Sequence, residues 1–177
     1  MWSNESIEDP RDLEPEADAP RHFSEHILRD PVSECGPRAV VSVAPETTVA
    51  DAVALMREQR IGCVVVERDG RLAGIFTERD VLLRVVARQC DPARTTVGEV
   101  MTPDPEAISM QDEFAWVLNL MAVGGFRHVP IVDDHGRPLA MFSVRHIVER
   151  LVDFFPQDVL TLPPHPRKNI ARTREGA

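Results

Sequence analysis

The 177-residue chain contains no tyrosine, and aromatic residues make up only 5% of it. Because hydrophobic residues still account for 43% of the sequence, its core must be built mainly from aliphatic side chains. The three cysteines, Cys35, Cys63 and Cys90, lack the paired spacing of a zinc or redox site. Cys63 lies in an apolar run, which is typical of a small buried core residue.

The sequence also lacks a hydrophobic run long enough to span a membrane, and its start lacks a charged-then-apolar signal pattern. We therefore expect a cytoplasmic protein with no membrane partner. The net charge of −9 argues against a nucleic-acid-binding protein, since such proteins carry a basic face.

The acidic residues are concentrated at the N-terminus, where residues 1–20 hold seven acids and one arginine. This composition cannot bury enough apolar surface to offset the entropy of ordering. We predict a disordered acidic arm with a short helix over residues 1–30, a first structural unit over 31–90 and a second over 95–156. Residues 157–177 are predicted to form an extended, proline-rich and basic tail.

A metal-binding pattern occurs at the end of the arm, where His22, Glu25 and His26 match the H-x-x-E-H spacing of one metalloprotease class. The pattern would place two imidazoles on one helix face, and it raises the hypothesis of a metal-dependent hydrolase. It lacks a third ligand and is cut off by Pro31. A chance match is favoured, and no metal site is predicted.

The two units are internal repeats. Residues 136–146 follow the pattern of residues 70–80 at a constant offset, with Ser143 in place of Thr77 and Arg145 in place of Arg79. Each unit has the pattern of a strand, a helix, a hairpin and a second helix. The sequence therefore predicts an α+β fold of two β-α-β-β-α repeats. We expect them to pack face to face with pseudo-twofold symmetry, because each small sheet alone leaves an apolar face uncovered.

Residues 74–80 predict a strand that passes directly into a helix. Such a corner leaves the first helical N–H groups unpaired and favours an anion in front of them. The Thr77 hydroxyl could cap the helix or reach a phosphate, the Arg79 guanidinium suits phosphate, and the Asp80 carboxylate suits the vicinal hydroxyls of ribose. This combination indicates a nucleotide site. The alternative is an ordinary capped helix with an exposed charged turn.

Residues 48–56, 74–80, 97–102 and 126–133 together resemble the motifs of a tandem CBS domain pair, or Bateman module, of the small stand-alone bacterial type. The resemblance covers residues 31–156. It implies a disc with two clefts that bind AMP, ADP or ATP as a regulatory ligand, and it leaves open whether Mg²⁺ accompanies the nucleotide. It further implies that Thr77 contacts phosphate, with Arg79 as a helper, and that Asp80 contacts ribose. The adenine would lie against an apolar wall that includes Val49, Val65 and Ile75.

The second repeat departs from this pattern, because His146 replaces Asp80 and Ala140 replaces Gly74. A neutral imidazole cannot accept two hydroxyl hydrogen bonds as a carboxylate does. We therefore predict one competent ribose site, at Asp80, and a second cleft that is empty, altered or specific for phosphate alone. The residues assigned to this weaker cleft are Arg127, His128, Pro130, Ser143, Arg145 and His146.

No catalytic constellation is recognisable in the repeats, so the leading hypothesis is a non-catalytic module that senses an adenosyl ligand. Its output would pass through a homodimer or through an unknown effector protein. The alternative is a structural or partner-binding CBS module that no longer binds nucleotide. His146 favours this alternative, and the intact motif at Asp80 argues against it.

Overall fold

The computed structural model describes residues 26–154. Residues 1–25 of the predicted arm, which include His22 and Glu25 of the metal pattern, and the predicted basic tail lie outside these residues. Between residues 26 and 154, no helix is long and apolar enough to cross a membrane.

The secondary-structure elements follow one another in the order expected of two repeats. The first half contains α1 (His26–Arg29), a 3-10 turn (Val32–Cys35), β1 (Arg38–Ala39), β2 (Ser42–Val43), α2 (Val49–Gln59), β3 (Cys63–Arg68), β4 (Arg71–Thr77) and α3 (Glu78–Asp80), which continues as a π-helical turn (Val81–Val86). The second half contains α4 (Val97–Val100), β5 (Thr102–Pro103), β6 (Ile108–Ser109), α5 (Phe114–Ala122), β7 (His128–Val132), β8 (Pro138–Ser143) and α6 (Val144–Phe154).

Local sequence explains the boundaries of α2. The Thr48 hydroxyl accepts a hydrogen bond of 3.1 Å from the Asp51 N–H and so caps the first turn. Val49 and Met56 recur at helical spacing and are buried against the sheet. The helix ends at Arg60, which adopts a left-handed conformation with φ of 54°.

The sheets exchange strands between the repeats. One sheet has the order β2-β3-β4-β5 and the other the order β1-β8-β7-β6. β1 pairs antiparallel with β8 of the second repeat, and β5 pairs antiparallel with β4 of the first. The sequence pattern of residues 39–43 predicts a single strand. This prediction was wrong, because Val40 and Val41 cross from one sheet to the other. This exchange covers the outer edge of both hairpins, which would otherwise expose unpaired backbone groups.

The hydrophobic cores are shared in the same way. The core of repeat 1 includes Val97 and Val100 from α4, and the core of repeat 2 includes Val32 and Cys35 from the 3-10 turn. A third cluster lies between the repeats and consists of the buried residues Cys63, Val65, Ile75 and Met141. The two repeats therefore pack against each other, as predicted, and the segment that leads into each one completes the core of the other.

The helix that follows Asp80 is shorter and wider than predicted. The amphipathic pattern of residues 79–88 predicts a continuous helix, but after Asp80 the backbone forms a π-helical turn. Its amide hydrogen bonds span five residues, from Ala87 to the Leu82 carbonyl and from Cys90 to the Val85 carbonyl. The sequence pattern predicts the corresponding helix of repeat 2 over residues 144–154, and α6 is a regular α-helix with these bounds.

Candidate functional site

The first strand-to-helix corner is held by a reciprocal cap between Thr77 and Asp80. The Thr77 N–H and hydroxyl donate hydrogen bonds of 2.9 and 2.7 Å to Asp80 Oδ2. The Asp80 N–H donates in return to the Thr77 hydroxyl, at 3.3 Å. This is the capping-box arrangement that fixes the start of a helix.

The second carboxylate oxygen of Asp80 also has partners within the protein. The Thr102 hydroxyl donates to Asp80 Oδ1 at 3.2 Å, and Arg84 Nε lies 3.5 Å from the same oxygen. Arg84 also donates to the carbonyl oxygens of Val100, at 3.1 Å, and Met101. Asp80 is only 7% exposed. Its carboxylate therefore ties the π-helical turn to β5.

The first amide group of each corner helix is paired with a neighbouring loop. The Glu78 N–H donates to the Gly62 carbonyl at 3.0 Å, and the Val144 N–H donates to the Arg127 carbonyl at 3.1 Å. The expectation that these groups stay unpaired was wrong. An anion at either corner would therefore depend mainly on side chains.

His146 takes over the capping role at the second corner. Its Nδ1 accepts a hydrogen bond of 3.2 Å from the Ser143 N–H, which places the proton of the neutral ring on Nε2. Burial lowers the pKa of His146, and the nearby Arg38 guanidinium acts in the same direction. The imidazole thus caps this corner without adding a charge at neutral pH.

A cavity of about 740 Å³ lies beside this second corner, between the two repeats. This volume falls within the range of about 300–1,000 Å³ that is usual for small-molecule sites. Its walls are formed by β1, the end of α2, the loop before β3, and the corner between β8 and α6. The apolar part of the lining includes Val40, Val41, Met56, Ile61, Cys63 and Met141.

The charged part of the lining is mostly positive. Five arginines and a single carboxylate, that of Glu78, line the cavity. The arginines are Arg38, Arg57, Arg60, Arg127 and Arg145. Two of them, Arg38 and Arg145, share the carboxylate of Glu149, each through a hydrogen bond of 2.8 Å. Clefts lined by one sign of charge concentrate ligands of the opposite sign, so the cavity favours an anion.

Two further titratable side chains of the lining are neutral at pH 7. Burial lowers the pKa of His128 to about 4, and the charges of Arg127 and His146 contribute in the same direction. Burial raises the pKa of the Cys63 thiol to about 12, with a smaller effect from Glu78. The positive charge in the cavity therefore comes from the arginines.

The residues predicted for the second cleft come together in the structure, with one exception. Ser143, Arg145, His146, Arg127 and His128 all line the cavity. Pro130 is instead buried in strand β7.

The residues predicted for the first cleft lie elsewhere. Thr77, Arg79 and Asp80 are not part of the cavity lining. The proposed adenine wall, Val49, Val65 and Ile75, is buried in the hydrophobic clusters and does not line the cavity either.

Sequence reasoning missed Arg38, Arg57, Arg60 and Glu78 of the lining. Arg57 and Arg60 lie at the end of α2, and their spacing in the sequence does not distinguish them from ordinary exposed charges on a helix. Arg38 reaches the cavity because β1 pairs with the second repeat. Within residues 26–154, no group of three or more His, Cys, Asp or Glu side chains is arranged to hold a metal ion.

Comparison with known proteins supports this architecture. The CBS domain pattern matches the chain twice, at residues 32–87 and 97–153. The CBS domain-containing protein CBSCBSPB3 of Arabidopsis thaliana is 36% identical over 113 residues, which are 64% of this chain and 20% of the plant protein. The chain therefore spans about a fifth of that relative's length.

Two solved structures show the same fold. A CBS-domain protein from Agrobacterium tumefaciens is 30% identical, with a TM-score of 0.61 over 68% of this chain and 98% of its own. A CBS domain protein from Pyrobaculum aerophilum, solved in complex with AMP, is 22% identical, with a TM-score of 0.62 over 72% of this chain and 99% of its own. The resemblance seen in the sequence is confirmed: the chain belongs to the CBS domain family, and its two repeats form a tandem CBS pair.

Proposed function

We propose that this CBS pair is a non-catalytic regulatory module that binds an adenine nucleotide in the cavity between its repeats. One observation carries the proposal: a cavity of about 740 Å³ combines an apolar lining with arginines from both repeats. The Pyrobaculum protein complexed with AMP, which shares the fold, supports the choice of ligand.

The lining offers a partner for each part of a nucleotide. The apolar side chains of the lining suit the adenine ring, while Ser143, Arg127 and Arg145 suit phosphate. The Glu78 carboxylate is an acceptor for the hydroxyl groups of ribose or for the adenine amino group. AMP, ADP and ATP all fit this description, with or without Mg²⁺.

The assignment of the ribose to Asp80 remains a prediction from the sequence. A ribose at the first corner would compete with the Thr102 hydroxyl and with Arg84 for Asp80 Oδ1. The side chains of the second corner already face an open cavity. We therefore place the nucleotide at the second corner.

A nucleotide between the repeats can signal only through a difference in its affinity for two arrangements of the protein. Exposed apolar side chains on the last helix of each repeat offer a surface through which such a change could pass to a second copy or to an effector protein. These side chains are Leu82, Leu83 and Val86 in repeat 1, and Val144, Val148 and Leu151 in repeat 2. We propose a homodimer formed through this surface.

A second candidate function is a partner-binding CBS module that takes no nucleotide. One observation favours it: the side chains of Asp80 and His146 already accept hydrogen bonds within the protein. Asp80 accepts from the Thr77 N–H, and His146 accepts from the Ser143 N–H. Under this hypothesis, the arginines of the cavity would serve solubility or contact with an acidic partner.

Thermal melting with AMP, ADP, ATP and S-adenosylmethionine tests the proposal. A ligand at a hundred times its dissociation constant should stabilise the protein by about 2.7 kcal/mol. For a domain of this size, the melting temperature should rise by about 5–10 °C. Arg145→Ala should remove this shift. Arg79→Ala, the matched change at the first corner, should leave it intact.

Each outcome selects one hypothesis. If the shift is lost only in Arg79→Ala, the nucleotide lies at the first corner, as the sequence predicts. If no nucleotide at millimolar concentration shifts the melting temperature of the wild-type protein, the sensor function is wrong and the partner-binding module becomes the leading hypothesis.

A further inference from the structure

We propose that the ligand of this cavity carries a diphosphate or longer phosphate chain, and that Arg57 and Arg60 of repeat 1 bind the phosphates beyond the first. This rests on the proposed function, since it concerns the same cavity. It narrows the ligand to adenine nucleotides with more than one phosphate and adds two specificity-determining residues.

Arg57 and Arg60 are placed at the cavity by the way in which α2 ends. Arg57 lies in the last turn of the helix, and Arg60 is its left-handed C-terminal residue. The reversal at Arg60 directs the chain into Ile61 and Gly62, which also line the cavity. Both arginines are exposed, so a ligand in the cavity can reach them.

These two arginines have no acidic partner in the described part of the chain. Arg38 and Arg145 share Glu149, whereas Arg57, Arg60 and Arg127 form no side-chain hydrogen bond or ion pair within residues 26–154. The lining thus holds three arginines without an ion pair against one carboxylate, that of Glu78, so the arginines repel one another. An anion between them would relieve this repulsion.

The effect of this positive charge is visible on a neighbouring group. The Arg127 guanidinium helps to lower the pKa of His128, which lines the same cavity. The end of α2 itself cannot attract an anion, because the C-terminus of a helix carries partial negative charge. Attraction on this side of the cavity therefore depends on the side chains of Arg57 and Arg60.

The cationic groups come from two repeats. Ser143, Arg145 and Arg127 belong to repeat 2 and form one group at the second corner. Arg57 and Arg60 belong to repeat 1 and approach from α2. We assign a monophosphate to the first group. Each further phosphate adds negative charge and length, so a phosphate chain can join the two groups.

Isothermal titration calorimetry of the full chain, without divalent cations, tests the proposal with AMP, ATP, inorganic phosphate and inorganic tripolyphosphate. Wild type should bind ATP at least about tenfold more tightly than AMP, which corresponds to about 1.4 kcal/mol. The double variant Arg57→Gln with Arg60→Asn should lose this preference while its affinity for AMP changes less than about threefold, since the corner residues are intact. Asparagine tolerates the left-handed conformation at position 60.

A matched control removes two exposed arginines outside the cavity. Arg68→Gln with Arg71→Gln changes the β3–β4 hairpin, where these two residues face each other in register. This variant should retain the preference for ATP. A circular dichroism melt of both double variants verifies that they fold.

The outcomes separate this proposal from the proposed function. If ATP and AMP bind wild type equally, or if the Arg57/Arg60 variant keeps the preference, the phosphate-chain proposal is overturned while nucleotide sensing stands. If tripolyphosphate binds through Arg57 and Arg60 and ATP binds no better than tripolyphosphate, the phosphate-chain proposal stands and the adenine part of the proposed function falls. If none of the four probes binds, both are wrong.

Discussion

Glu149 accepts a hydrogen bond of 2.8 Å from Arg38, which joins the last helix of repeat 2 to the strand that leads into repeat 1. Its other carboxylate oxygen accepts a hydrogen bond of 2.8 Å from Arg145 Nε. The hydrogen bond from Arg145 is the main reason why the pKa of Glu149 is lowered. Glu149 therefore accepts hydrogen bonds from two arginines of the cavity, as the oxygen atoms of a phosphate group would.

We expect Glu149→Gln to increase the affinity for ATP severalfold at low ionic strength. The change removes a negative charge beside the cavity and frees Arg38 and Arg145 to bind phosphate. Stability should change little, because exposed ion pairs contribute little to folding. Calorimetric titration measures the effect, and Glu106→Gln, at an exposed acid outside the cavity lining, is the matched control. A loss of affinity in Glu149→Gln would show instead that Glu149 positions the arginines for binding.

Asp80→Ala should destabilise the protein by about 1–3 kcal/mol, because it removes the cap on Thr77, leaves the Thr102 hydroxyl without its acceptor and removes the ion pair of Arg84. His146→Ala is the matched change in repeat 2. It should cost about 1 kcal/mol, since it removes a neutral cap and no buried charge. Urea denaturation of both variants measures the difference. Equal losses would contradict the structural role of the carboxylate at Asp80.

Gly74→Ala should be destabilising by about 1–3 kcal/mol, because the added methyl group would overpack the interior. A Cβ at this position would overlap Met101 Sδ and lie 2.9 Å from the Thr102 carbonyl oxygen. Repeat 2 already has Ala140 at the equivalent position, so Ala140→Gly is the reciprocal control. Thermal melting should show a clear loss for Gly74→Ala. A neutral result would mean that Met101 and the Thr102 backbone both yield easily.

The parts of the fold that were predictable from the sequence are those specified by local patterns. The cap at Thr48, the Asp69-Gly70 turn with its positive φ angles, and the apolar spacing of α6 each lie within one short segment. The internal repeat in the sequence then predicted that two similar units pack against each other. The strand exchange was not predictable, because two residues such as Arg38 and Ala39 are too few to show a strand period.

The candidate site was predicted only in part for a related reason. The pattern from Thr77 to Asp80 is the same whether the carboxylate caps a helix or binds a ribose. In the structure, Asp80 also contacts Thr102 and Arg84, and Thr102 lies on a strand of the other repeat, so these contacts could not be read from the local pattern. The structure brings together five of the six residues predicted for the second cleft, whereas the arginines at the end of α2 belong to the other repeat and leave no local signal.

His128 should make the stability of the protein depend on pH between about 4 and 6.5. Its pKa is about 4 in the folded protein, against 6.5 for an unperturbed histidine. Below pH 6.5, the unfolded chain therefore binds a proton that the folded protein does not bind, and stability is lost as the pH falls. The contribution is fully present above pH 6.5, and the loss by pH 4 should reach about 3 kcal/mol.

The test compares urea denaturation of wild type and His128→Gln at intervals from pH 7.5 to pH 4.5. Both proteins contain carboxylates that titrate at the acidic end, so the difference between the two curves isolates the histidine. The wild-type free energy of unfolding should fall more steeply below pH 6.5 than that of the variant. Bound ATP should reduce this extra slope, because an anion beside the imidazole raises its pKa. Parallel curves in the absence of ligand would show that His128 accepts a proton in the folded protein without cost, and that the cavity is less positive than its arginines imply.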